Sequence, residues 1–89
     1  MDRVQFIEKY NCKKYMKDFP FELMEVYNVA RQGVDLYFED GDCPKFILTN
    51  CHIPRLNTYL LSIFQNKKVL IQATTTHIEI ILDTKKLRK

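Results

Sequence analysis

The chain has 89 residues, of which 46% are hydrophobic and 28% are charged, and its formal net charge is +3. This length predicts one domain over residues 1–89, and the composition is typical of a compact globular fold and excludes disordered and fibrous classes. No apolar run approaches the about 20 residues that are needed to cross a bilayer. We therefore expect a soluble protein without membrane contact.

Three cysteines, Cys12, Cys43 and Cys51, are widely spaced along the chain. An odd number of cysteines without a Cys-x-x-Cys pair argues against a disulfide framework and favours a reducing compartment. We therefore expect a cytoplasmic protein in which the cysteines are small buried hydrophobic residues.

Two helices are predicted at the start of the chain. Asp2 precedes the first as an N-cap, with Gln5 in the capping-box position. The apolar residues of this segment change sides of the helical wheel, so the helix either breaks near Asn11 or is contacted on two faces. The second helix begins at Pro20, has apolar residues at a 3.6-residue spacing and is closed by Gly33.

The strongest hairpin signal in the sequence is Asp40-Gly41, which joins two strand-like runs. A two-residue loop at this point places Phe38 opposite Cys43. The acidic residues around this loop are therefore interpreted as part of a bend in the chain. Pro44 cannot donate a hydrogen bond to a neighbouring strand, so we expect this hairpin at a sheet edge.

The last apolar segment predicts a second hairpin. Ile71 occupies an odd position and Ile78 an even one, so a single straight strand would point them to opposite faces. A two-residue loop at Thr74-Thr75 sets them opposite each other on one face. The basic residues 84–89 are expected to form a frayed tail.

A further helix is predicted over residues 54–68, between the two hairpins, from its apolar stripe. The resulting element order is ααββαββ. It predicts an α+β fold, a two-layer sandwich with two N-terminal helices and a four-stranded, mainly antiparallel sheet made of two β-hairpins joined by a helix.

One face of the predicted sheet mixes apolar and polar side chains and is too apolar for an ordinary wet surface. The 54–68 helix adds a leucine that lies outside its apolar stripe. We expect either a partner or the N-terminal helix to cover this face of the sheet, and we interpret these positions as a candidate partner-binding surface. The candidate partner-binding residues are Tyr37, Phe46, Leu48, Leu70, Ile81 and Leu61.

Basic residues provide a second candidate surface, because charge is unevenly divided along the chain. Residues 1–17 carry a net charge of +3, residues 18–42 carry −6 and residues 43–89 carry +6. Apart from Lys45, the basic groups of the last segment lie on the predicted helix and tail, where they can contact phosphates. The nucleic-acid candidates are Arg55, Lys67, Lys68, Lys85, Lys86, Arg88 and Lys89.

The sequence assigns no catalytic residue, no metal ligand and no cofactor. The acidic residues of the first hairpin lack the alternate spacing and distal Glu of a calcium loop. Cys51 and His52 are adjacent, and neighbouring residues in an extended chain point apart, so the two cannot form a catalytic pair. His52 is instead interpreted as a helix cap. With glycines only at 33 and 41, a phosphate-binding loop is excluded.

Three hypotheses for function follow. The first is a small non-enzymatic protein-interaction module that forms a homodimer or binds another protein, of the kind that a virus or mobile element uses as an accessory or inhibitor protein. The second is a nucleic-acid-binding module that uses the 54–68 helix and the basic tail. The third is a small metal-dependent hydrolase or nuclease.

Overall fold

The computed structural model of the protein describes residues 2–65 and 69–82. Within them lie three α-helices, a short 3-10 helix and four strands, in the predicted order and in the predicted α+β class. The chain divides into two compact units, Met1–Val34 and Asp35–Lys89, and each is described by itself. The elements are α1 (Arg3–Tyr10), the 3-10 helix (Lys13–Tyr15), α2 (Pro20–Ala30), β1 (Asp35–Glu39), β2 (Lys45–Thr49), α3 (Ile53–Ile63), β3 (Leu70–Ala73) and β4 (Ile78–Ile81).

Helix α1 begins and ends as its sequence dictates. The Asp2 carboxylate accepts a hydrogen bond from the Gln5 backbone N–H at 2.8 Å, and the Gln5 side chain accepts one from the Asp2 N–H at 2.9 Å. This reciprocal box satisfies two amide groups that have no partner inside the helix. The helix ends where Asn11 adopts a left-handed φ of 51°, which confirms a break near this residue.

Helix α2 has Pro20 in its first turn, where the missing N–H of proline costs nothing. Leu23, Val26 and Val29 recur at helical spacing and are buried. The chain leaves the helix through Gly33, whose φ of +90° is left-handed and whose N–H donates to the Ala30 carbonyl. The second helix is thus confirmed, but its C-cap is Arg31, and the glycine lies two residues beyond the cap.

The second unit contains one sheet with strand order β1-β2-β4-β3, in which every neighbouring pair is antiparallel. Strands β1 and β2 form one hairpin, β3 and β4 form the other, and α3 joins the two and contacts β3. Strand β1 occupies an end of this order, so the first hairpin does lie at a sheet edge, but Pro44 precedes β2, which is paired on both sides. The two predicted reversals of chain direction are both confirmed.

The register of the first hairpin differs from the prediction. Phe38 lies opposite Phe46 rather than Cys43, and the loop comprises residues 40–44 instead of two residues. Gly41 does not take the left-handed conformation that a two-residue loop would require. The longer loop brings Glu39 opposite Lys45, a favourable pair of opposite charges.

The second hairpin is also shifted, but with a different consequence. Ile71 lies opposite Ile80 rather than Ile78, and the backbone N–H of Thr74 donates to the His77 carbonyl at 2.8 Å. The turn therefore falls at Thr75-Thr76, one residue later than predicted. Because the shift along the partner strand is even, every side chain keeps its predicted face.

Helix α3 ends at Ile63, earlier than the predicted range 54–68. Phe64 takes a ψ of 69°, which is not helical, and its side chain is buried. Residues 66–68 lie outside the described residues. In the described parts of the chain, no helix combines the length and the apolar character required to span a bilayer.

Candidate functional site

The two faces of the sheet differ in character. One face, which we call the core face, carries Phe46, Leu48, Ile78 and Ile80 at its centre, and all four are at most 1% exposed. We call the other face the mixed face. Its residues follow from the strand pairing, because residues paired across neighbouring strands share a face. The mixed face carries Asp35, Tyr37, Glu39, Lys45, Ile47, Thr49, Leu70, Gln72, Glu79 and Ile81.

The placement of Phe46 and Leu48 on the mixed face is wrong. Both lie on the core face, where Phe46 is opposite Phe38 and the two ring centroids are 4.8 Å apart. The three residues 46–48 are all apolar, so alternation within the strand does not reveal which of them point inward. The longer loop sets the register that places Phe46 and Leu48 on the core face, so Ile47 lies on the mixed face instead.

Three predicted partner-binding residues do lie on the mixed face, with different accessibility. Tyr37 is 50% exposed, Leu70 is half-buried and Ile81 is only 3% exposed. Leu61 lies on α3 and is 50% exposed. Tyr37 and Leu61 are therefore accessible to a partner, whereas Ile81 already packs within its own chain.

A chain of polar contacts crosses the mixed face and was missed in the sequence. Lys45 Nζ lies 3.8 Å from Glu79 Oε2, and the same oxygen lies 3.3 Å from His77 Nε2. His77 and Glu79 alternate along the chain and so share a face, a signal that the sequence does contain. The contribution of Lys45 depends on the pairing of β2 with β4, which belong to different hairpins, and could not be found without it.

The turn before β4 continues this chain of contacts. His77 Nδ1 lies 3.1 Å from each of the hydroxyl oxygens of Thr74 and Thr76. The Thr74 hydroxyl oxygen also accepts from the backbone N–H groups of Thr76 at 3.2 Å and of His77 at 3.1 Å. The Thr74 hydroxyl, the His77 imidazole and the Glu79 carboxylate thus form a connected series of contacts. The hydrogen bonds that the Thr74 hydroxyl accepts from the backbone show that it stabilises the turn.

Ordinary structural roles account for the acidic first hairpin and for the neighbouring residues Cys51 and His52. His52 precedes α3, and its Nδ1 accepts from the Arg55 backbone N–H at 3.4 Å, which confirms the predicted cap. Cys51 is half-buried, and burial raises the pKa of its thiol. Within residues 2–65 and 69–82, no three His, Cys, Asp or Glu side chains converge as a metal-binding group.

Of the predicted nucleic-acid residues, only Arg55 is described, and it is exposed near the start of α3. The others, Lys67, Lys68, Lys85, Lys86, Arg88 and Lys89, lie outside the described residues. Binding of nucleic acid by the 54–68 helix and the tail stays a prediction.

The first unit carries a basic and aromatic surface that was not singled out in the sequence. Lys9 Nζ lies 5.4 Å from the centroid of the Tyr10 ring, and Lys14 Nζ lies 5.2 Å from that of Tyr15. These are distances at which a cation is attracted to an aromatic face. Further along, the Phe21 side chain is 81% exposed, an unusual state for a large apolar residue.

Comparison of the chain with protein-family models, with curated proteins and with solved structures finds no match.

Proposed function

We propose that this protein is a non-enzymatic interaction module that forms a homodimer through the mixed face of its sheet. Tyr37 is the observation that carries the proposal. It is half exposed at the centre of β1, between Asp35 and Glu39 on the same face. Tyrosine is enriched in protein interfaces because its ring supplies contact area and its hydroxyl tolerates water.

Charge supports a second copy of the chain as the partner. In a two-fold dimer the same patch meets itself, so a charged self-associating patch needs both signs of charge to avoid repulsion between the copies. The mixed face does so, with Asp35 and Glu39 on β1 and Lys45 on β2. The acidic strand of one copy can face Lys45 of the other, and the reverse contact forms at the same time.

The size of the mixed face indicates a weak dimer. Four strands about 4.8 Å apart and about 17 Å long give a flat footprint of at most roughly 300 Å², and Ile47 and Ile81 on this face are already buried within the chain. Stable interfaces bury about 800 Å² on each partner. We therefore expect a dissociation constant in the micromolar range, so that monomer and dimer exchange at ordinary laboratory concentrations.

Light scattering after size-exclusion chromatography, from about 10 to about 500 µM protein, tests the proposal. The wild-type mass should rise from monomer to dimer across this range. Tyr37→Glu should shift the transition at least about tenfold to higher concentration, because it adds a third carboxylate between two existing ones.

Tyr59→Glu is the matched control, because Tyr59 lies on α3 and is 42% exposed. It should leave the dimer unchanged. A wild-type protein that stays monomeric throughout the range refutes the proposal, and so does an equal loss of dimer in both variants. Ile81 is unsuitable for this test because a charged residue at a site only 3% exposed would destabilise the fold itself.

A further inference from the structure

We infer that the first unit carries a separate binding surface for single-stranded nucleic acid, made of the lysine segment, residues 9–17, and the ring of Phe21. The segment contains Lys9, Lys13, Lys14 and Lys17 and no acidic residue. All four lysines are exposed. None of these residues is among the nucleic-acid candidates that the sequence predicts, and the inference does not depend on self-association.

The local fold concentrates these charges. Helix α1 stops at Tyr10, and the following 3-10 helix and turn are held by hydrogen bonds from Tyr15 N to Cys12 O and from Met16 N to Lys13 O, each at 3.0 Å. The chain is therefore compact where it carries four positive charges. Such a cluster attracts a phosphate backbone without regard to sequence.

Phe21 supplies what lysines alone lack. It follows Lys17 by four residues, a distance that a chain spans in at most about 14 Å, and the Phe19 N–H donates to the Tyr15 carbonyl at 2.9 Å between them. An open aromatic ring four residues from a basic segment allows a base to stack on the ring while phosphates contact the lysines. Bases stacked in a duplex do not offer their faces in this way, so single strands are favoured.

A membrane surface is the less suitable ligand for the same residues. Peripheral membrane binding needs a broad apolar face in addition to positive charge. Phe21, which is 81% exposed, is a single aromatic ring and does not form such a face. One ring is sufficient to stack one base.

Fluorescence anisotropy with a labelled oligothymidylate of about 12 nucleotides, read at about 50 and about 200 mM salt, tests the inference. Four lysine contacts predict that the affinity falls about 50-fold between these salt concentrations. The triple variant Lys13→Gln, Lys14→Gln, Lys17→Gln should bind more weakly and lose most of this salt dependence.

Phe21→Ala should weaken binding about 5- to 150-fold with the salt dependence retained, and Phe21→Tyr should keep the affinity because the ring is preserved. Tyr59→Ala, at an exposed aromatic position on α3, serves as the matched control and should have no effect. Circular dichroism checks that each variant is folded.

Several results would overturn the inference. They are absence of saturable binding at the lower salt concentration, an unaltered affinity in Phe21→Ala, and loss of binding only when Lys85, Lys86, Arg88 and Lys89 become alanine. Vesicles with about 30% phosphatidylserine provide the last arm. Binding of these vesicles through the three lysines, without binding of the oligonucleotide, would assign the surface to membranes instead.

Discussion

Replacing Phe46 by alanine tests the arrangement of the whole sheet. The Phe46 side chain is 0% exposed, pairs with Phe38 on one side and Ile80 on the other, and lies on the core face. Removal of a buried phenylalanine ring costs about 3–5 kcal/mol, because apolar contacts are lost and a cavity remains. A domain of this length has a total stability of roughly 4–13 kcal/mol, so this single change removes a large part of it.

The assay is urea denaturation followed by circular dichroism. With an m-value near 1 kcal/mol/M, the Phe46→Ala midpoint should fall by about 3 M or more, or the protein should be unfolded without urea. Phe46→Leu keeps most of the volume and should cost less than about 1.5 kcal/mol. Its smaller effect shows that the loss in the alanine variant comes from packing.

Tyr37→Ala is the matched control, because this aromatic residue lies on the adjacent strand but on the mixed face and is half exposed. We expect a loss below about 1 kcal/mol. A Phe46→Ala variant that loses no more stability than Tyr37→Ala would refute the register of the first hairpin. It would also remove the basis for assigning Tyr37 to a binding surface.

The other predictions concern caps, turns and thiols. Gly33→Ala should cost about 1–2 kcal/mol in a urea melt because its φ is +90°, whereas Gly41→Ala, with no atom within 4 Å of the added methyl group, should be neutral or stabilise by up to about 1 kcal/mol. His52→Ala should lower stability by about 0.5–1 kcal/mol through loss of the α3 cap, with His52→Asn restoring it; an equal loss in both would contradict the capping role. Burial raises the pKa of the Cys12 thiol above its ordinary 9.0, so a thiol reagent should modify the half-buried Cys43 first and Cys12 only on unfolding. Because the unfolded chain ionises Cys12 first, stability should fall as pH rises above about 9, and Cys12→Ala should abolish that part of the loss.

The sequence was sufficient for features that depend on neighbouring residues. The capping box of α1, the proline start of α2 and the αL exit at Gly33 each involve residues at most a few positions apart. The positions of the two chain reversals are equally local. These features can be predicted because backbone hydrogen bonding and allowed dihedral angles determine them without distant contacts.

Register was predictable only where the apolar pattern alternates. In the second hairpin Ile78 and Ile80 alternate with polar residues, so an error of two positions left both on the same face. In the first hairpin the partner of Phe38 moved from Cys43 to Phe46, an odd shift of three positions that exchanged the faces of β2. Nothing local in a run of three apolar residues opposes such a shift.

That single shift changes the expected chemistry of the binding surface. The predicted surface presented two large apolar side chains, Phe46 and Leu48, whereas the observed mixed face presents Lys45 and Thr49 around a buried Ile47. An interface built from the former would be driven by apolar burial and would be insensitive to salt. One built around Tyr37, carboxylates and Lys45 has charge as a principal component, so added salt should weaken the proposed dimer through screening of these charges.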